Sequence, residues 1–449
     1  MSTAAMPSFP AGFRFGVSTS AYQIEGAADV DGRGASIWDS FARSPGRIVD
    51  GSSGDVACDH YHRYAEDIAL MAELGVTAYR FSVAWPRVRP TGSGAVNPAG
   101  LDFYERLVDG LLEHGIHPVA TLFHWDLPQP LEDDGGWLNR DTAHRFAEYA
   151  DLVAERLGDR VKLWITLNEP FIHMSLGHGT GEHAPGRALL FDAFPVAHHQ
   201  LLGHGLAVAA LRARTAGPVA IANNYSPVRA AGDGPADPAA VAAYEALHNQ
   251  LFTDPLFGRR YPTELGFDQS VVRDGDLDVI AAPIDVLGVN YYNPTGVRAP
   301  EEGSPLPFEL VPLDGYPRTA FDWPVAPDGL RELLGWLHAR YGADLPPVQI
   351  TESGCAYDDE PDADGRVHDP DRIAYLDAHL RAVRAAIDDG VDVTGYFVWS
   401  LLDNWEWAEG FTKRFGLVHV DYPTGRRTPK SSYAWLREVI ATARRDTGR

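Results

Sequence analysis

The chain has 449 residues, of which 45% are hydrophobic, enough for a large core. Its formal net charge of −24 argues against nucleic acid or an anionic membrane surface as a partner. Two cysteines, Cys58 and Cys355, make no disulfide framework and fit a reduced, cytoplasmic setting.

The first ten residues (MSTAAMPSFP) lack the basic and apolar regions of a secretion signal and read as a flexible N-terminus. No apolar run approaches the roughly 18 residues that span a bilayer. Short apolar or β-rich runs then recur eight times, at Phe13–Ser20, Thr77–Ala84, His117–Phe123, Val161–Leu167, Pro218–Asn223, Asp285–Asn290, Pro347–Thr351 and Thr394–Ser400. Helical patterns lie between them. In one, Tyr64, Ile68, Met71 and Leu74 share a face that would pack on a sheet. Gly75, Gly115, Gly158, Gly217, Gly342 and Gly390 each stand shortly before the next strand, where a glycine closes a helix. The Pro-rich stretch Pro294–Pro317 reads as a loop-like insertion. Strand–helix alternation repeated eight times predicts a single-domain α/β chain, a (β/α)₈ TIM barrel over residues 1–449. A doubly wound sheet is the competing fold, but no Gly-rich phosphate fingerprint follows the first strand.

In such a barrel the active site lies at the C-terminal ends of the strands. Gln23 and Glu25 follow strand 1, and strand 2 carries Arg80. Strand 3 runs into His124, Trp125 and Asp126, and strand 4 into Asn168 and Glu169. Strand 6 ends at Asn290, Tyr291 and Tyr292, strand 7 at Glu352, and strand 8 at Trp399, followed by Asn404, Trp405, Glu406 and Trp407. Forked polar groups alternate with indoles and phenols. A pyranose wants that mixture, because its hydroxyl fringe is chelated while its C–H face is covered by a ring. Trp164 and Trp336, inside regular elements, read as core. Two carboxyl groups from different strands, Glu169 and Glu352, are what cleavage of a glycosidic bond requires.

Seven strings carry a wider likeness: FRFGVSTSAYQIEGA (13–27), YRFSVAWPR (79–87), FHWDLPQ (123–129), TLNEP (166–170), VNYY (289–292), ITESG (350–354) and VWSLLDNWEWAEGFTKRFGLVHVDY (398–422). In order and over nearly the whole chain, they resemble family 1 glycoside hydrolases, the β-glucosidase family. The resemblance implies a retaining β-glucosidase that removes terminal β-D-glucosyl residues, with tolerance for galactosyl or fucosyl groups. Glu169 would be the acid/base and Glu352 the nucleophile. Gln23, His124, Trp125, Asn168, Glu406, Trp407 and Phe415 would line the sugar site, with Trp399 beneath the ring. Asn290 and Tyr292 would flank the nucleophile, and Arg80 would support its charge. Retention places the carboxyls about 5–5.5 Å apart, so one of them must hold a proton. Transfer to another acceptor would use the same residues, whereas a non-hydrolytic sugar-binding module would have lost one of the two glutamates.

Ser353 departs from the family pattern, in which Asn follows the nucleophile. Glu406, Trp407 and Phe415 stand where phospho-glycosidases carry a different set, so an unphosphorylated sugar is expected. His178, His183, His198, His199 and His204 fit no zinc motif and read as packing residues. Cys355 reads as a buried thiol, and the acidic stretch Asp358–Asp364 as a solvated turn. The chemistry needs no cofactor and no metal. The expected partner is a small β-glycoside, whose outer portion would meet loops 175–185, 294–317 and 409–415.

Overall fold

The computed structural model describes residues 6–231, 234, 237–266 and 268–446. Eight parallel strands close into a barrel. They are β1 (Arg14–Ser18), β2 (Ala78–Ser82), β3 (His117–Phe123), β4 (Leu163–Asn168), β5 (Val219–Asn224), β6 (Val286–Asn290), β7 (Val348–Ser353) and β8 (Val393–Trp399). Each lies within a few residues of its expected bounds. The register Arg14↔Gly395 through Ser18↔Trp399 joins β1 to β8 and completes the ring.

Helices cover the outside. In His60–Leu74 the side chains of Ile68, Met71 and Leu74 are buried, and Tyr64 packs partly against them. Gly75 ends this helix at φ 82°, a left-handed conformation that a Cβ penalises, and its N–H satisfies the Met71 carbonyl. Gly158 closes the helix Asp141–Leu157 at φ −64°, so closure there does not depend on a missing side chain.

Inside the ring, Ala78, Val119, Leu163, Ile165, Ala220, Ala222, Val286 and Phe397 form a separate apolar plug. Gly16 leaves room for the Phe397 ring within it. The barrel is therefore filled below, and functional side chains can converge only above the plug.

Two expectations about loops are corrected. Pro294–Pro317 contributes two strands, Thr295–Arg298 and Glu309–Val311, to a small sheet with Val228–Ala230. Burial of Val297 and Phe308 against Tyr244 and the Arg298–Glu309 ion pair hold it together. The N-terminal segment is not free from Met6 onward. Phe9 is buried, its ring 4.4 Å from Phe13 and 5.4 Å from Phe15, because an aromatic cluster there gains more by leaving water than the chain loses in freedom. Residues 1–5 lie outside the described residues. Among the described residues, no helix is long and apolar enough to cross a membrane.

Candidate active site

The ends of the barrel strands surround a cavity of about 380 Å³. Both glutamates reach it. Glu169 follows β4 at φ 42°, ψ 57°, and its N–H donates to Ala222 O on β5 at 2.8 Å. That left-handed turn breaks the strand and swings the carboxyl over the barrel mouth. Glu352 lies within β7, where the pairing with β6 shifts register between Ile350 and Glu352. Oε1 of Glu352 accepts from Arg80 Nη1, and Oε2 accepts from Tyr292 Oη at 2.7 Å. Arg80 is wholly buried and also donates to Asn168 Oδ1 at 2.6 Å and to Thr121 Oγ1 at 3.2 Å. Asn290 Nδ2 donates to Glu169 Oε1 at 2.8 Å and to Asn168 Oδ1 at 2.9 Å. One network thus ties β2, β4, β6 and β7, and both carboxyls belong to it.

Of the polar groups expected at the other strand ends, His124 and Glu406 line the same cavity, while Asn168 and Gln23 are buried behind them as their hydrogen-bond partners. Asn168 Nδ2 faces His124 Nε2 at 2.9 Å. Since Asn168 Oδ1 is already an acceptor for Arg80 and Asn290, its amide must donate to the imidazole. His124 therefore carries its hydrogen on Nδ1, a buried nitrogen without a partner among the described residues. Gln23 Nε2 donates to Glu406 Oε2 at 3.1 Å and to Asn404 Oδ1 at 3.2 Å, joining the ends of β1 and β8. Trp125, Trp399, Trp407 and Phe415 wall the cavity. The Trp125 indole donates to Asn168 O at 2.8 Å, so that side chain offers its face alone. Trp407 lies 4.7 Å from Trp125 between centroids, and Trp399 packs with Phe415, Tyr292 and Trp323. Trp125 and Trp407, like Glu169, take positive φ, 76° and 46°.

A family model described as glycosyl hydrolase family 1 matches residues 5–445. This chain belongs to that family. It is 52% identical over 444 residues to a thermostable β-glucosidase B of Thermobispora bispora, covering 96% of this chain and 90% of the relative. A bifunctional β-D-glucosidase/β-D-fucosidase of Bifidobacterium breve is 46% identical, covering 96% and 98%. The structure of a family 1 β-glucosidase from Thermotoga maritima superposes with a TM-score of 0.94 at 44% identity, covering 98% and 99%.

The electrostatics of this family 1 hydrolase separate its acids. Burial, and after it the charge of Glu352, push the Glu169 carboxyl well above the usual carboxylate range, against the pull of Asn290, Arg80 and Asn224. Burial and then Glu352 push Glu406 up to about 8. Burial and the Arg80 guanidinium hold His124 far below its ordinary value, so the ring is neutral. Tyr292 is raised well above the phenol range by burial and the Glu352 charge, which keeps its hydroxyl a donor.

Some residues at the right strand ends are turned away. Glu25 pairs with Arg87 at 2.9 Å and accepts from Tyr104 at 2.7 Å, behind the cavity. Asp126 is buried outside the cavity lining. Others went unforeseen. Asn224 at the end of β5, His248, Phe321 and Trp323 line the cavity, and Asn224 Nδ2 reaches Glu169 Oε1 at 3.5 Å. The one signal for Asn224 was its place at the end of a predicted strand. The histidines are mostly structural: His198 bridges Tyr261 and Asp276, His199 faces Trp137 O, and His204 faces Thr166. His183 instead edges the cavity. Among the described residues, no group of three His, Cys, Asp or Glu is placed to hold a metal ion. Ser353 is buried 3.3 Å from Tyr375 Oη, facing away from the cavity lining. Asp359, expected in a solvated turn, is buried against Lys430 and Arg372, because two cations there offset the cost of its desolvation.

Proposed function

We propose that this family 1 hydrolase is a retaining β-glucosidase acting as one catalytic unit, with Glu352 as nucleophile and Glu169 as acid/base. The observation that carries the reading is the division of labour between two carboxyls in one cavity. Glu169 is pushed toward its protonated form, while Glu352 is gripped by a guanidinium and a phenol. The names of the relatives from Thermobispora bispora and Bifidobacterium breve support glucosyl and fucosyl groups as the sugar.

In the first step a Glu352 oxygen attacks the anomeric carbon as Glu169 gives its proton to the glycosidic oxygen. The C–O bond to the aglycone breaks, and the aglycone leaves as an alcohol. Esterified Glu352 no longer carries charge, so one cause of the raised Glu169 pKa disappears. Glu169, now a carboxylate, takes a proton from water. The oxygen attacks the anomeric carbon, the ester bond breaks, and β-glucose departs with both carboxyls restored. Every proton and bond is accounted for by the two glutamates and water, so the chemistry calls for no cofactor.

Glu406, Gln23, Asn168 and His124 hold the sugar hydroxyls, and Trp399 and Trp407 cover its apolar surface. The acidic residues lining the cavity are Glu169, Glu182, Glu352, Glu406 and Glu409, and among the described residues no Lys or Arg lines it. Lys413 Nζ donates to Ala320 O at 2.9 Å, outside that lining. This field favours an unphosphorylated glycoside over an anionic one. The two buried, unpaired cysteines support a cytoplasmic setting.

Proton NMR of an aryl β-glucoside with the purified protein tests the reading. β-Glucose appearing ahead of mutarotation supports double displacement. α-Glucose appearing first would refute the nucleophile assignment.

A further inference from the structure

His248 has no part in the chemistry described so far, yet it lines the cavity. It sits in the π-helical turn Ala246–Gln250. Its ring lies face to face on Phe171, centroids 4.3 Å apart at 25°, two residues beyond Glu169. Nε2 stands 2.5 Å from Asn224 Oδ1 and Nδ1 stands 3.0 Å from Tyr244 Oη.

The directions of these bonds follow from chemistry. Asn224 Nδ2 points at Glu169 Oε1, so the amide oxygen is the atom turned to His248. A carbonyl oxygen only accepts, hence His248 Nε2 carries the hydrogen. Burial holds His248 far below its usual range, at about 3, so the ring is neutral and Nδ1 must accept from Tyr244. Donation runs one way, from Tyr244 to His248 to Asn224 to Glu169. A second amide reaches the same oxygen, Asn290 Nδ2 at 2.8 Å, and its orientation is fixed by Thr351 Oγ1 donating to Asn290 Oδ1 at 2.6 Å. An oxygen that accepts two N–H groups is a poor place for a proton.

We propose that His248 is a positioning residue: it locks the Asn224 amide so that the transferable proton of Glu169 sits on Oε2, the oxygen left for the leaving group. The proposal rests on the assignment of Glu169 as acid/base. Without the His248 N–H, the Asn224 amide is free to turn its carbonyl toward Glu169. That carbonyl would then accept the acid's hydrogen in place of the glycosidic oxygen. Glu169 is faced by Glu352, Arg80 and Tyr292, and His248 by Tyr244. The device therefore works through the direction of an N–H, with no charge on His248.

His248→Phe keeps the ring on Phe171 and removes both nitrogens. On glucosides with poor leaving groups, kcat/KM is expected to fall about tenfold, the worth of one hydrogen bond at the transition state. On a dinitrophenyl glucoside, whose leaving group needs no acid, the change should stay within about twofold. The basic limb of the pH profile should move upward, because losing a donor to the carboxylate favours its protonated form. His248→Gln, still able to present an N–H to Asn224, should recover most of the loss. In an Asn224→Ala background, His248→Phe should add no further leaving-group-dependent loss. A loss equal for all leaving groups, an unmoved basic limb, or additive effects of the two substitutions would each overturn the proposal. Should His248→Phe fail to fold, Asn224→Ala alone decides, with the same selective loss and the same shift expected. Glu169→Gln measured alongside separates two failures. If its loss is uniform across leaving groups, the acid/base assignment itself is wrong. If its loss is selective and that of His248→Phe is not, only the positioning role is lost.

Discussion

Replacing Lys430 by Met should lower the melting temperature by about 3–5 °C. Lys430 is buried, and its Nζ donates to Asp359 Oδ2 at 2.6 Å and Asp403 Oδ1 at 2.8 Å. Arg372 joins Asp359 and Asp369, and Arg414 reaches Asp403 at 2.9 Å. Three cations thus face three aspartates. Burial pushes Asp403 upward, yet Lys430 and Arg414 outweigh it and hold the carboxyl below its ordinary range. Removing one ammonium leaves a surplus buried carboxylate, which costs about 3–5 kcal/mol. Unfolding entropy of about 2.1 cal/mol/K per residue over 449 residues gives about 0.9 kcal/mol/K, hence the stated shift. Differential scanning calorimetry at one scan rate would compare wild type, Lys430→Met and Lys430→Met with Asp359→Asn. The double variant restores two cations against two anions and should regain about half the loss. A single variant melting within about 1 °C of wild type, or a double variant no better than the single, would refute the charge-balance argument.

Glu352→Gly should abolish hydrolysis of aryl β-glucosides and restore sugar transfer from α-glucosyl fluoride, followed by product analysis. Normal turnover by the variant would remove Glu352 from its role. For stability against pH, Asp126 is the group to watch. Burial raises it to about 8 from 3.8, so between those values the folded chain binds the extra proton. Stability then falls as pH rises from about 4 to about 8, and Asp126→Asn should flatten that slope in urea titrations at several pH values. An unchanged slope would show that Asp126 is ionised in the fold.

The strands and their polar ends could be read from the sequence because each barrel strand is a short, fully buried run. Such a run is interrupted only where it meets the site, so Glu169 and Glu352 stood out as carboxyls at apolar boundaries. Asn224 stayed hidden because asparagine before Tyr-Ser-Pro reads equally as a turn residue. His248 lies in a helical stretch whose pattern says nothing of which nitrogen meets which oxygen. Glu25 and Asp126 also sit at the expected ends, yet neither lines the cavity: strand position names the layer, and rotamer and partner decide whether a side chain faces the cavity. The acidic run at 358–364 misled for a related reason. Composition reported its charge, while burial of Asp359 depends on Lys430, 71 residues away.

Trp125, Glu169 and Trp407 all take a positive φ, which costs an L-residue about 1–2 kcal/mol and glycine almost nothing. This chain carries bulky side chains at three positions where the backbone alone would favour glycine. A lineage released from selection for turnover would be expected to drift toward glycine there and to gain stability as it lost activity. Inactive descendants of this scaffold should then melt higher than their working ancestor, so a search by thermal stability alone would lead away from the catalyst.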